Sequence, residues 1–595
     1  MGSNLRIMDD AFEYLLPTEA KKKKGQFFTP RHVVEMCVRM LNPTQKEYVM
    51  DPACGSGGFL LHAMNWCYPA DDNVKRELRK HKYAGRYLWG IDFETRAAKT
   101  SRALMLIAGD GHTNIFGPDV SSLDPKTWYE TGSGQSLMHG LRQAKLTAVK
   151  IPENETLRED DKAWEYFDEL KFDVILANPP FAGEMKDRRM LAHYELAKPA
   201  LKRAGNGKGK AAKEERDVLF IERILKMLRP GGRTAIVLPQ GKFNNSSLAF
   251  IREWILRKAR LLAVVGLHPN TFKPHTGTKT SVLFVQKYTG KQLAAISRVH
   301  DEVAQDCPAY EREIQTLLES LDGDVPEESI SEAVADLIGE TFSQPEVEIT
   351  NNNNSDDENS GDEELELSSE EELFALAEQK VHDLKAALIR TKQKLINLDS
   401  DKEALEQKKE QEIEILTSSW DADTNGLQLQ VREMNQSYKI NLQTLKSVQK
   451  EKHKRYKAEI QRLEKEIPNA ERALKLLTNR GKLELILNDS DLIGTLKERW
   501  IAAEVAKRLD YPIFMAVSER GGKNNSGDYE YMLDGAGYFI DDESGQPRIN
   551  QDLVNYSLTA DDLADAASIA DDQLCVAEAF VRFAQEQGFD FWRAG

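Results

Sequence analysis

Phe172-Asp173-Val174-Ile175-Leu176-Ala177-Asn178-Pro179-Pro180-Phe181 is the stretch on which the fold turns. Its first part, Phe172 to Ala177, is a short apolar run with the pattern of a buried parallel strand. An amide, two rigid prolines and an aromatic ring follow where that strand ends. In open α/β sheets, ligands bind at the carboxyl ends of the strands. An Asn oxygen and a proline-constrained carbonyl can accept both N–H bonds of a planar amine, whose lone pair is otherwise delocalised into its ring. Accepting them draws the nitrogen towards sp³ geometry. A ring at Phe181 can stack on a base taken out of a duplex. Taken alone, the tetrapeptide is also a proline-rich turn closing a strand.

Upstream, Glu47-Tyr48-Val49-Met50 leads into Asp51-Pro52-Ala53-Cys54-Gly55-Ser56-Gly57-Gly58-Phe59-Leu60, a strand, a glycine-rich turn and a helix. Glycines there let a backbone turn sharply and approach a ligand. The loop lacks the Lys-Ser/Thr of a phosphate-binding loop and the GxGxxG spacing of a dinucleotide site. Tyr87 to Asp92 reads as a second strand ending in an acid, a place from which a carboxylate can accept both ribose hydroxyls. Phe116-Gly117-Pro118-Asp119-Val120 carries a third strand-end acid. Before all of these, Gly25-Gln26-Phe27-Phe28-Thr29-Pro30-Arg31 reads as a helix start, with Thr29 as cap and Pro30 in the first helical position. Its free N–H groups suit a carboxylate, although many such signals only cap a helix.

Downstream, residues 121–170 look irregular and polar. Residues 182–213 are Gly/Lys-rich and read as a mobile loop over the cleft or a surface insertion. A helix from Val218 to Leu228 stops at Arg229-Pro230-Gly231-Gly232. Thr234–Pro239, Leu261–Leu267 and Ser281–Val285 are strands, with a helix over 248–258. The alternation is that of an α/β domain with a mostly parallel sheet.

The chain has 595 residues, with Lys+Arg 80 against Asp+Glu 97 and a net charge of −17. That balance does not advertise a nucleic-acid binder, but it is uneven. Ten acids fall between Asp356 and Glu372, whereas Lys21–Lys24 and Lys198–Lys213 are basic. The lysines at 21–24 read as a solvated tail or a phosphate contact. Five cysteines without a CxxC pair argue against a zinc site or a disulfide framework, and for a reducing, cytoplasmic setting. No apolar run is long enough for a membrane span.

The expected organisation is a leader at 1–24, a catalytic domain at 25–290, and a mixed helical connector at 291–350. An acidic disordered linker at 351–372 and an antiparallel coiled-coil hairpin at 373–480 come next. The final segment, 481–595, completes the catalytic domain and adds a terminal helix near 573–586. The hairpin rests on Val381, Leu388 and Leu395 in one heptad series, Leu384, Leu398 and Leu405 in the other, and a turn at 421–426. Its arms would extend roughly 65–70 Å. An ordinary helical bundle is the alternative. The apolar strand at 513–517 is too short to stand alone and is expected to join the sheet of 281–286, which makes 290–500 an insertion.

In their order, GQFFTP, DPACGSGGFL, GID, NPPF, LPQGKF and TGTKTSVLF resemble the adenine-N6 DNA methyltransferases, above all the modification (methylase) subunit of type I restriction-modification systems. The likeness covers roughly 25–290 and 511–592, where YPIFMAVSERGGK is similar to a late segment of that family. It implies a Rossmann-like S-adenosylmethionine-dependent methyltransferase sheet into which the hairpin is inserted. It assigns Gln26, Phe27, Phe28, Thr29, Pro30 and Arg31, with Asp51, Gly55, Ser56, Gly57 and Gly58, to the cofactor S-adenosyl-L-methionine. Asp92 would bind its ribose, and Asp119 would reach its adenine amino group. Asn178, Pro179, Pro180 and Phe181 would be catalytic. The implied partners are double-stranded DNA and a separate specificity subunit; a restriction subunit and a second copy of the chain are further candidates. Only a short stretch precedes GQFFTP where the family has a helical domain, and the hairpin is expected to stand in for it. Methylation of RNA or of a glutamine side chain is the alternative activity. An inert assembly subunit working through the hairpin is the alternative class.

Overall fold

The structure, a computed structural model, describes residues 28–69, 74–108, 114–147, 160–204, 212–321, 333–334, 370–418, 424–476, 478–541 and 545–592. The leader 1–24, Gln26 and Phe27, nearly all of the acidic linker and the start of the hairpin turn lie outside them. Two compact units divide the chain: Met1–Ser297 with Asp510–Gly595, and Arg298–Leu509.

The first unit is built on an eight-stranded sheet. Its strands are β1 (Val49–Asp51), β2 (Leu88–Ile91), β3 (Ile115–Phe116), β4 (Phe172–Ala177), β7 (Leu228–Pro239), β8 (Ala259–Gly266), β9 (Thr280–Lys287) and β10 (Phe514–Val517). Two short strands, β5 (Glu184–Met185) and β6 (Glu214–Glu215), pair antiparallel beside it. The order across the main sheet is β10-β8-β9-β7-β4-β1-β2-β3. All neighbours are parallel except β9, which runs against β7 and β8. β1, β2 and β4 are buried along their whole length, as central strands covered on both faces must be, which explains their unbroken apolar runs. From β1 the chain moves one way to β2 and β3, and from β4 the other way to β7. The crevice where the order reverses therefore opens between the carboxyl ends of β1 and β4.

Helices α1 (Arg31–Leu41), α2 (Gly58–Cys67) and α3 (Thr95–Ile107) share one apolar core with the final helix of the chain; α4 (Arg216–Met227) packs in a second. Residues 121–170, expected to be irregular, contain helices Lys126–Glu130, Gly132–Gln143 and Asp160–Asp168. Trp128, Leu137, Leu141, Trp164 and Phe167 from them are buried in the second core. Their apolar positions are few and widely spaced, so local periodicity is weak and tertiary packing decides. The mobile-loop reading of 182–213 is likewise corrected. Helices Arg188–Leu191 and Lys198–Ala204 lie there, and Met190, Leu191, Tyr194, Leu196 and Ala197 are buried. Residues 205–211 are outside the described set. The stop after α4 falls where expected, but β7 begins at Leu228 and takes the Pro-Gly-Gly segment into its own irregular start.

β10 lies in the main sheet, pairing with β8 rather than lying beside β9. Phe514 and Ala516 on one face pack into the first core. The stretch after it, which looks merely polar and glycine-rich, forms a ribbon in which Gly521 bridges Gln551 and Tyr531 bridges Ile549.

Aromatic packing ties the end of the chain to the sheet, and a buried ion pair with an indole hydrogen bond ties it to α1. Phe580 lies 5.5 Å from Phe514 and 6.2 Å from Phe284, ring centre to ring centre. Arg39 of α1 bonds Glu578 at 2.8 Å, and Trp592 Nε1 donates to the Met40 carbonyl at 3.0 Å. Phe580→Ala is expected to cost about 3–5 kcal/mol, because the ring is wholly buried and its neighbours can close the void only in part. The fall in the denaturant midpoint at unchanged m-value measures it.

The second unit is helical. Two long helices, α5 (Glu370–Ser418) and α6 (Thr424–Leu476), run antiparallel: Lys385 pairs with Glu471 at 2.7 Å and Lys392 with Glu464 at 3.0 Å. Val381, Leu463 and Ile467 are buried among the described residues of this pair. Tyr310, Ile314, Leu483, Ile486, Ile493 and Leu496 form a separate small core. Among the described residues no helix is long and apolar enough to cross a membrane.

Candidate functional site

The loop after β1 turns sharply because Gly55 and Gly57 adopt φ of 54° and 89°, a region closed to most side chains. At Gly57 space is short as well as conformation. A Cβ there would come within 2.5 Å of Ser101 Oγ on α3. Gly58 opens α2, so the free N–H groups of that helix face the end of β1. Phe28 lies against the same turn, 4.0 Å from where a Cβ on Gly55 would sit.

Two carboxyl groups flank this loop. Asp51 ends β1, is buried, and accepts the Ala53 N–H at 3.0 Å. Asp92 follows β2, is buried, and accepts N–H bonds from Gly55 and Glu94, each at 2.9 Å. It thus ties the glycine turn to the second strand while keeping lone pairs on both oxygens for further donors. Burial pushes the Asp92 carboxyl up to about 6, against the pull of those two N–H bonds. Burial also holds Asp51 well above the usual carboxylate range, with the Asp92 charge adding to it. In both, the folded state binds the proton more tightly. Their stabilising contribution is thus present below the unfolded pKa and is lost as pH rises through the folded one, about 6 for Asp92.

Asp119 stands with φ of 61° on the turn after β3 and is exposed. Its N–H reaches the Phe93 carbonyl at 3.3 Å, which sets the third acid beside the second. Sequence reasoning passed over Phe93. It is 59% exposed immediately after Asp92, an apolar ring left in the open at the rim of the crevice. The available signal was an aromatic directly following a strand-end acid.

Across the crevice, the tetrapeptide leaves β4. Pro179 is buried, while Asn178, Pro180 and Phe181 are half-buried. The Phe181 ring meets Phe272 edge-on at 6.1 Å, so a wholly buried aromatic backs it. Lys523 Nζ, from the late ribbon, donates to the Lys273 carbonyl at 3.1 Å and holds that backing loop. Just beyond, the Arg216 N–H donates to the Gly183 carbonyl at 3.1 Å, which fastens the exit of the tetrapeptide to the start of α4.

The helix-start reading of Thr29 and Pro30 needs correction. α1 begins at Arg31 with Pro30 as its cap residue, and no side chain caps it. The Pro30 carbonyl takes the Val33 and Val34 N–H groups instead. The Thr29 hydroxyl faces the other way and accepts a hydrogen bond of 2.9 Å from Asn178 Nδ2. Phe28, Thr29, Asp51, the glycine turn, Asp92, Asp119 and Asn178 through Phe181 are thus gathered at one end of the sheet; Gln26 and Phe27 fall outside the described residues. Arg31 is turned to Glu35 at 2.9 Å and stacks its guanidinium over Tyr556.

A doubly wound, mostly parallel sheet with a glycine turn and strand-end acids on one side of its switch point, and an Asn-Pro-Pro-Phe exit on the other, defines the class as a Rossmann-like α/β fold. A model of the family described as N-6 DNA Methylase matches residues 4–304, and the chain belongs to that family. It is 28% identical over 283 residues to the type I restriction enzyme EcoEI methylase subunit of Escherichia coli, covering 47% of this chain and 46% of that one. It is 26% identical over 295 residues to the EcoKI methylase subunit of Escherichia coli strain K12, covering 48% and 46%. Among solved structures, the modification subunit of a putative type I restriction enzyme from Vibrio vulnificus YJ016 aligns at 25% identity and a TM-score of 0.31, over 45% of this chain and 46% of that one. The chain therefore spans about half the length of the curated relatives it matches.

Proposed function

We propose that this protein transfers a methyl group from S-adenosyl-L-methionine to the N6 amine of adenine in double-stranded DNA. It would do so as the modification subunit of a type I-like restriction-modification system, with specificity from a separate subunit. The observation that carries this reading is Asn178: an amide at the switch point, at the end of a fully buried strand, in a chain of the N-6 DNA methylase family.

In this reading the cofactor lies against Phe28, the Gly55–Gly58 turn and the N-terminus of α2. Asp92 takes its ribose, Phe93 covers an apolar face, and Asp51 shapes the turn from below. The buried carboxyls, the open glycine backbone and the free helix N–H groups fit a ligand with a sugar diol and an amino-acid end. The cofactor, when bound, supplies an electrophilic methyl on a sulfonium. The chain's residues do the rest. Asn178 Oδ1 and the Pro179 carbonyl accept the two N–H bonds of the target amine and stabilise the charge that develops there. Phe181, backed by Phe272, stacks on the extruded base.

We also read α5 and α6 as a coiled-coil hairpin that meets protein partners: a specificity subunit first, then a restriction subunit or a second copy of the chain. Support comes from the cross-helix ion pairs and from the mixed signs of charge along both helices.

The test is transfer of labelled methyl to an adenine-containing duplex, with and without the proposed specificity partner. A duplex in which every adenine is already N6-methylated is the control. Label on the first duplex and none on the second supports the reading; label on RNA or protein but not on DNA overturns it. A linked prediction concerns pH. Ribose hydroxyls donate to an ionised carboxylate, and Asp92 titrates at about 6. Cofactor affinity by calorimetry should therefore weaken as pH falls from 7 to 5. Asp92→Asn should be weaker throughout, by roughly 10-fold or more, and flat over that range. Unchanged binding in Asp92→Asn would refute the role.

A further inference from the structure

We propose that the segments after β4, after β7 and before β9 form the surface that carries the DNA backbone beside the extruded base, with Arg216 and Lys279 as its phosphate contacts. This rests on the function proposed above and names the part of the surface that meets the duplex. The chain carries a net charge of −17, so its surface as a whole repels a polyanion, and attraction has to come from a local set of cations.

The order β9-β7-β4-β1-β2 places the tetrapeptide between two sides of the sheet end. The groups read as cofactor-binding follow β1 and β2, which leaves the β7 side for the nucleic acid around the target base. β9 runs against β7, so its first residue, Thr280, pairs with Pro239, and Lys279 lies at the carboxyl end of the sheet. α4 leads directly into the start of β7, so Arg216, its first residue, belongs to that same end. One short turn joins the two cations. The Gln240 N–H donates to the Lys279 carbonyl at 2.9 Å, and Lys242 bonds Glu215 and reaches Asp217 at 3.2 Å, the residues on either side of Arg216. Arg216 also lies along the tetrapeptide's exit: its Cδ, Nε and Cζ are 3.4–3.5 Å from where a Cβ on Gly183 would sit, two residues beyond Phe181.

The pairing of the neighbouring charges singles these two out. Lys213 and Lys186 both bond Glu184, and Lys242 is shared between Glu215 and Asp217, so the acids flanking Arg216 are already matched. Arg189 is paired with Asp124. Arg216 and Lys279 are exposed, and among the described residues neither side chain has a carboxylate partner. A guanidinium in that position keeps its whole fork of donors for a phosphate, which it can meet with two bonds, and an ammonium adds a point charge.

The experiment follows binding of a fluorescently labelled DNA duplex to the full chain by anisotropy over a range of KCl concentrations. Arg216→Gln and Lys279→Gln should each lower the slope of log K against log salt by about one and weaken Kd by roughly fivefold to tenfold at moderate salt. Cofactor Kd by calorimetry and Tm should stay near wild type, and Arg216→Lys should keep the wild-type slope. Lys213→Gln is the control, because it removes a neighbouring charge that Glu184 already holds, and it should change the slope little. A slope unchanged in both Arg216→Gln and Lys279→Gln overturns the proposal, as does an equal fall in Lys213→Gln, which would show a general charge effect. Absence of duplex binding by wild type even at low salt overturns it outright. Transfer of labelled methyl is followed in the same preparations. Altered slopes without methylation of adenine leave the DNA surface standing and sink the reading of the reaction; methylation with unaltered slopes does the reverse.

Discussion

Asn178→Ala should abolish methyl transfer, with a fall of roughly 100-fold or more in kcat, while cofactor affinity stays within about twofold of wild type. The reason lies in where the residue sits. β4 is buried from Phe172 to Ala177, so its backbone does not move when a side chain at its exposed end is cut back. Asn178 itself is half-buried, and the groups proposed for the cofactor lie on the loops after β1 and β2. Truncation removes an acceptor that matters most when the amine becomes tetrahedral and gains charge, so the loss belongs to kcat. Single-turnover transfer with labelled cofactor measures it, and calorimetry with the demethylated cofactor product checks binding. An equal loss in both would make Asn178 a structural residue that holds Thr29 and, through it, the entry to α1.

Gly57→Ala should damage both stability and cofactor binding, because two independent constraints meet at one atom. With φ at 89°, an L side chain there is strained by about 1–3 kcal/mol wherever its atoms go. The new Cβ would also come within 2.5 Å of Ser101 Oγ and 3.3 Å of Ser101 Cβ, so α3 or the loop must shift. Either shift disturbs the N–H of Gly55 that Asp92 holds. Thermal unfolding should show a Tm lower by several degrees, and cofactor Kd should rise by roughly tenfold or more. Adding Ser101→Ala removes the hydroxyl contact but not the backbone strain, so it should recover only part of the loss. Gly290→Ala, where nothing lies within 4 Å of the new methyl, should be close to neutral. If Gly57→Ala proved as mild as Gly290→Ala, the turn would not be the constrained cradle described above.

Much of the site was legible along the chain because each piece is local. A glycine turn after a strand, an acid at a strand end and Asn-Pro-Pro-Phe after an apolar run are patterns of neighbours, and neighbours in sequence share backbone constraints. β4 appears over the residues expected of it for the same reason: an unbroken apolar run can be buried on both faces and little else. The family likeness drew on the same motifs in order.

What the chain could not announce by itself was which distant pieces meet. Thr29 looked like a helix cap because a Thr-Pro pair before an apolar period usually is one; its hydroxyl is claimed by Asn178, 149 positions away. Residues 182–213 looked mobile because the stretch is rich in lysine and glycine and shows no clear period, yet a few spaced apolar side chains suffice to bury Met190, Leu191 and Tyr194. The partner of β10 was beyond local reading too: a four-residue apolar strand can add to either edge of a sheet, and the packing of Phe514 on Phe580 puts it beside β8. Phe93 escaped because exposure is a property of the fold and not of the residue. Local stereochemistry is set by the nearest few residues and survives in the sequence. Pairings over hundreds of positions are chosen by burial, which only the folded chain decides.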